Sequence, residues 1–383
     1  MAHQNTVLHD LVKPLPWGHF ADLVERHHAD DGLDLTSKSH LIALLYAQLA
    51  GADSLRAIAD GTHSHAARLY HLGAAPVKRS TLADANRYRP AALFSDLLAA
   101  IIAQAHRGLR RDLADSVRLI DSTSVRLSAS SARWARFSAE VCGAKAHVVY
   151  DPDAAMPVYA AVSASRLNDI TAAQAMPIEA GATYVFDLGY YDYAWWARLH
   201  EAGCRIVTRF KSNTPLSVSE TRPVPVDGPI LSDRVGLLPA RQAKNRQNPF
   251  RAPVREVRLR LESGPVLRIL SNDLEASAQE IADLYKRRWA IELFFRWVKQ
   301  RLKIRKFLGT SENAVRLQIA VALIAYVLLR LAHEAQAAVP SPLAFARLTG
   351  ANLMHRRRID ELLAAPRKPW RDPAQFELPG LAA

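Results

Sequence analysis

The chain has 383 residues, enough for two or three domains and a sizeable buried core. Apolar residues make up 49% and charged residues 23%, the balance of an ordinary globular chain. Lys and Arg outnumber Asp and Glu by 50 to 37, a net charge of +13 that suits a polyanionic partner, nucleic acid above all. Two cysteines, Cys142 and Cys204, exclude a disulfide scaffold and a Cys-rich zinc module. Residues 1–10 lack the charged and apolar regions of a signal peptide. The most apolar run, 319–329, is too short to span a bilayer and reads as a buried helix. The expected location is the cytoplasm, with no membrane partner.

Residues 1–110 read as helical. Apolar positions recur at helical spacing through 41–45, then at Leu55 and Ile58, then at Leu93, Leu97, Leu98 and Ile101. Turns are expected at Gly51, Gly61 and 73–76. The hydroxyls of Ser80 and Thr81, flanked by Lys78 and Arg79, offer an N-cap for a helix over 82–89. That helix carries Asp84, Asn86, Arg87, Tyr88 and Arg89 and suits a surface laid on DNA, with Arg79 and Arg87 as candidate contacts. A solvated helix end is the plain alternative.

From about residue 115 strands take over. Residues 116–121 form an apolar strand ending in Asp121. Two more strands, over 146–150 and 157–163, flank the turn Asp151-Pro152-Asp153. A helix over 169–176, a strand over 183–187 ending in Asp187, a helix over 193–201 and a strand over 205–210 follow. Three strands, helix, strand, helix, strand is the order of an RNase H-like mixed sheet, an α/β fold whose first three strands are antiparallel. Residues 213–275 interrupt it with a small β insertion, including strands over 254–261 and 266–270. A long helix over 278–306, a helix from 312 to about 335 and a Pro-rich basic tail complete the chain.

The long helix carries nine Lys or Arg between residues 285 and 306, and one acid, Glu292. At about 100° per residue, Tyr285, Arg288, Glu292 and Lys299 share an arc of about 60°. Arg296 and Trp289 lie beside it, and Ala290, Leu293, Phe294, Trp297 and Val298 form the opposite, core face. A carboxylate in such a strip is either salt-bridged to Arg288 and Arg296 four residues away or a metal ligand among phosphate-binding groups. In an RNase H-like sheet the ends of the first and fourth strands are neighbours, and a late helix packs over them. Asp121, Asp187 and Glu292 then converge, and hard oxygen ligands of this kind suit Mg²⁺ or Mn²⁺. Two such ions promote phosphodiester chemistry by in-line displacement.

The spacing Tyr285-x2-Arg288-x3-Glu292-x6-Lys299 is a YREK signature, Asp121-Ser122-Thr123 looks like a first-aspartate motif and Asp187-Leu188-Gly189-Tyr190-Tyr191 like a second. Together they resemble the DDE transposases of the insertion-sequence 4 family, over residues 115–335 and more loosely before that. The resemblance implies an enzyme that binds the terminal inverted repeats of its element as a homodimer, cuts the DNA ends and joins them to target DNA. It implies Asp121, Asp187 and Glu292 as catalytic metal ligands for Mg²⁺ or Mn²⁺, two ions in all. Tyr285, Arg288 and Lys299 would contact phosphates near the cleaved end, and Trp289 would meet a base turned out of the stack. The implied domains are a DNA-end-binding helical part over 1–110, a catalytic domain over 111–335 with its insertion at 213–275, and a basic helical tail over 336–383.

One departure stands out. Relatives carry in the insertion a Trp that stacks on the extruded base, whereas Phe250 is the one aromatic between 213 and 283 here. Either Phe250 or another group substitutes, or the hairpin route is altered. Asp151, Asp153 and Asp192 read as turn and surface acids, His147 as a satisfied strand histidine, and Trp195 and Trp196 as core. No Gly-Lys phosphate loop is present, in keeping with strand transfer that needs no nucleotide. A nuclease on the same fold and a DNA-binding protein that has lost catalysis are the alternatives.

Overall fold

The computed structural model describes residues 5–109, 116–138, 140–241, 246–261, 264–301 and 307–362. Among these, seven helices come first: α1 (Val7–Val12), α2 (Trp17–Arg26), α3 (Ser37–Ala50), α4 (Leu55–Ser64), α5 (Ala66–Leu69), α6 (Arg79–Tyr88) and α7 (Ala92–Leu109). Thr36 caps α3 by accepting the N–H of Ser39, and Gly51 stops it at φ +75°. α3 is buried on nearly every side, the mark of a central rod rather than an amphipathic surface helix. The expected hydroxyl cap on α6 is not formed. The helix begins earlier, Lys78 stands at its N-cap, and the Thr81 hydroxyl donates back to the Lys78 carbonyl.

The strands are β1 (Val117–Leu127), β2 (Cys142–Asp151), β3 (Met156–Ala164), β4 (Thr183–Phe186), β5 (Arg205–Arg209), β6 (Ser217–Arg222), β7 (Ile230–Leu237), β8 (Val254–Arg260) and β9 (Val266–Ser271). They form one sheet in the order β3-β2-β1-β4-β5-β9-β8-β7-β6. β4 and β5 run parallel to β1, and the remaining pairings are antiparallel. Residues 213–275, read as a β insertion, contribute β6 to β9 to that same sheet. Its strands extend the main sheet through the β5–β9 pair, Val207 opposite Ser271. β1 also runs on past Asp121, because Val125 and Leu127 keep the buried alternation that pairs with β2.

Between the strands lie α8 (Ala132–Ala135), α9 (Asp169–Gln174) and α10 (Tyr193–Glu201). After β9 come α11 (Ala278–Arg287), α12 (Trp289–Arg301), α13 (Glu312–Glu334) and α14 (Pro342–Asn352). The long helix expected over 278–306 is thus broken. Arg288 sits in a tightened turn between α11 and α12, bonding back to the Tyr285 carbonyl, and residues 302–306 lie outside the described residues. The tail region contains an ordered helix too, since Ser341 caps α14 on the Ala344 N–H.

The sheet is covered on both faces at β1, β4 and β5. On one, Ile120, Tyr184, Phe186 and Ile206 pack with Trp195, Trp196 and Leu199 of α10. On the other, Leu119, Val185 and Val207 share a core with Ile291 and Phe294 of α12 and with α13. α13 is long and apolar enough to cross a membrane, yet 83% of its most apolar window is buried inside the fold. It touches α3, α6 and α7 as well as β3, so helices and sheet share one core. Asn313 near its start ties it to the α6–α7 corner, accepting the Ala91 N–H and donating to the carbonyls of Asn86 and Arg89. Cys142 and Cys204 are both buried thiols.

Candidate active site

The last parallel pair between β1 and β4 is Leu119 opposite Val185. Two residues further on each strand stand Asp121 and Asp187, at the same level and on the same face as that pair. Asp187 lies just past its strand, as expected, and caps a short 3₁₀ turn by accepting the Gly189 N–H at 2.8 Å. Asp121 lies inside β1, not at its end, and accepts the N–H of Ser122 at 2.7 Å. Glu292 stands in the first turn of α12.

Arg288 joins them. Its guanidinium bonds the Glu292 carboxylate and lies 3.5 Å from Asp121 Oδ2. Burial pushes the Asp121 carboxyl up to about 6; Asp187 and Glu292 push the same way, against the Ser122 N–H and Arg288. The donor set is carboxylate oxygen alone, which fits a hard divalent cation. Among the described residues no three acids, histidines or cysteines already converge on one point, so the site as it stands is compensated by Arg288.

The other expected residues fall into two groups. Tyr285 is buried under Arg288, with the guanidinium 5.8 Å from its ring. Trp289 is 52% exposed, and Arg296 lies 5.9 Å from its ring. Leu293, expected in the core, is 45% exposed beside them, because the break at Arg288 leaves Ile291, Phe294, Phe295 and Val298 as the buried stripe. Lys299 is half-buried one turn beyond Phe295.

Arg79 and Arg87 are exposed on α6. Arg87 and Arg133 line a groove of about 530 Å³. Arg79 and Arg56 line an adjoining one, the two sharing Leu55 and Leu308. Asn86 and Arg89, expected on that DNA surface, are buried instead. Asn86 bonds His40, and Arg89 bonds Asp30 and the carbonyls of Ala29 and Leu35. Phe250 cannot stand in for a base-stacking Trp: it is 4% exposed and packs 5.3 Å from His200.

Asp153 and Asp192 hold turn and cap positions, Asp153 paired with Arg287 and Asp192 accepting the Trp195 N–H. Asp151 is not a surface acid but a buried partner of Arg118. Trp195 and Trp196 are core, and His147 bonds Ser163. One acid escaped the sequence reading. Asp169 opens α9, where an acid reads as a helix-start residue, yet it lies against the back of the same strand edge.

The family described as Transposase DDE domain matches residues 112–328, more than half of the chain, and Domain of unknown function (DUF4372) matches residues 3–75. A putative transposase y4zB of Sinorhizobium fredii is 40% identical over 288 residues, spanning 74% of this chain and 80% of that protein. A probable transposase for insertion sequence element IS5377 of Geobacillus stearothermophilus is 32% identical over 259 residues, 67% of each. The chain also resembles a piggyBac transposase in a synaptic complex with hairpin DNA, at TM-score 0.49 and 10% identity, over 95% of this chain and 83% of that one. On the matched domain and these relatives, the chain belongs to the DDE transposases of insertion elements, divalent-metal-dependent enzymes that cleave DNA and transfer its strands.

Proposed function

We propose that this is a transposase of the insertion-sequence 4 type, with Tyr285, Arg288, Glu292 and Lys299 as its YREK set. The strand order β3-β2-β1-β4-β5 supports an RNase H-like core within residues 111–335. The observation that carries the reading is the level placing of Asp121 and Asp187, with Arg288 linking Asp121 to Glu292.

In this reading the three acids hold Mg²⁺ or Mn²⁺, two ions at full occupancy. Bound there, such ions activate a water or a 3′-hydroxyl and stabilise the leaving oxygen of an in-line displacement. Arg288 trades its carboxylates for a phosphate of the cleaved end, a charge-assisted contact of similar geometry. Tyr285 supports Arg288 from below. Trp289 offers an exposed face to a base, Arg296 steadies that ring, and Lys299 adds phosphate affinity. The helical part over 1–110 grips the terminal inverted repeats, with Arg79 and Arg87 on the phosphates of the grooves beside α6. The tail over 336–383 adds basic charge. Two copies assemble on paired DNA ends, in the bacterial cytoplasm at the nucleoid, and capture target DNA without nucleotide hydrolysis.

The test uses DNA carrying the ends that flank this gene. Purified protein is incubated with them in Mg²⁺ and, separately, in Ca²⁺, beside Asp187→Asn. New 3′-hydroxyl ends in Mg²⁺, and joined products with a supercoiled target, are expected of the native chain alone. Cutting without joining would make it a nuclease. Cutting by Asp187→Asn would overturn the assignment of the acids.

A further inference from the structure

The sheet edge that carries Asp121 and Asp187 has a second, polar face. Ser122 points away from Asp121 by strand alternation, and its hydroxyl donates to Asp169 Oδ1 at 2.7 Å. Lys145 on β2 donates to the same Oδ1 at 3.0 Å and to the Leu167 carbonyl at 3.2 Å. His147, fully buried, brings Nδ1 to 3.7 Å from that oxygen. A side chain added at Gly189 would meet Asp187 Oδ1 at 3.0 Å and Asp169 Oδ2 at 3.4 Å. The two carboxylates therefore flank the glycine of the second-aspartate turn. The Tyr190 ring is 1% exposed, and its hydroxyl has no hydrogen bond of normal geometry. Burial holds that hydroxyl well above its ordinary pKa, and Asp121, Asp169 and Asp187 add to the effect.

We propose that Asp169 is a positioning residue of the catalytic centre, fixing Asp121 through Ser122 and fixing the Asp187 turn across Gly189. The inference rests on the catalytic reading of Asp121 and Asp187. The link to Asp121 is a chain of two bonds. The Ser122 hydroxyl is held by Asp169, and the Ser122 N–H is given to Asp121 Oδ1. Lys145 pairs with Asp169 at 3.0 Å, and Asp169 meets β1 at Ser122, on the face turned away from Asp121, so it serves as a support and not as a further cation ligand. No motif of the sequence reading includes this residue.

A double-mutant cycle in the full chain tests it, with Asp169→Asn, Ser122→Ala and the pair. Three quantities are read: end nicking in Mg²⁺, end binding in Ca²⁺, and the Mn²⁺ concentration that half-saturates the thermal stabilisation of the DNA-free protein. Each single variant is expected to nick roughly 10–100-fold more slowly, the usual range for supports of a metal site. The double variant should nick no more slowly than the weaker single, because both break one chain. Half-saturation should need about tenfold more Mn²⁺, with end binding unchanged within about twofold. Nicking at the native rate by either single variant overturns the inference, as do losses that multiply in the double. Should Asp169→Asn fail to fold, Ser122→Ala, which removes one hydroxyl, decides alone. Asp121→Asn runs beside them. If it still nicks, the acid assignment has failed; if only the Asp169 and Ser122 variants keep native nicking, this inference alone has failed.

Discussion

Arg288→Gln gives the sharpest test of how the site is poised. In the DNA-free protein the guanidinium stands where positive charge is wanted, 3.5 Å from Asp121 and bonded to Glu292. Both contacts are partly open to solvent, and each opposite pair is taken at the modest worth of a screened ion pair, about 1 kcal/mol. A divalent cation must displace that charge before it can bind. Glutamine keeps the bulk and removes the competitor, so metal affinity should rise by about 2 kcal/mol, roughly thirtyfold. The measurement belongs at pH 8, well above the value of about 6 to which Asp121 is pushed in the native chain. The readout is the Mn²⁺ concentration that half-saturates the rise in Tm without DNA. End cleavage should fall at the same time, because the phosphate contact is lost. A variant that folds but binds Mn²⁺ no more tightly would refute the view of Arg288 as a stand-in cation.

Three other outcomes are expected. Trp289→Ala removes an exposed ring and should leave stability within about 0.5 kcal/mol. It should weaken binding of cleaved ends by about 1–3 kcal/mol, the worth of one stacked base, read by fluorescence anisotropy. Phe250→Ala should cost about 3–5 kcal/mol in denaturant unfolding, since that ring is core packed against His200. His40 is held at about 3 by burial first and by Arg89 second, so the fold keeps it neutral while the unfolded chain protonates it near 6.5. That stability is present above pH 6.5 and is lost as the pH falls. Between pH 6.5 and 5 the native chain should lose about 1.6 kcal/mol more than His40→Gln does.

Much of the centre was legible because its signals are strong and local. In the sequence Asp121 and Asp187 each follow an apolar run, and one acid interrupts a basic helix. What could not be read depended on partners far along the chain. β6 and β7 carry too little apolar alternation to announce themselves, and they form because β8 and β9 present an edge to pair with. The turn at Arg288 has no Pro or Gly to signal it, and it moved Leu293 from core to surface. Asn86 and Arg89 read as surface polar residues, but distant carbonyls, His40 and Asp30 satisfy them in the interior. Asp169 looked like an ordinary helix start because Ser122, the group it holds, lies 47 residues earlier.

Asn313 and α13 have a geometric consequence for the DNA. The arginine-lined grooves beside α6 and the carboxylates beneath α12 rest on the same buried helix, and the α6–α7 corner is tied to its first turn. If the α6 grooves grip the inverted repeat as proposed, recognition and cutting are set at a fixed span, like two marks on one ruler. An inverted repeat lengthened by a few base pairs between its gripped segment and its tip would not be followed by a stretching protein. The cut would keep its distance from the gripped segment, and so fall inside the element's end.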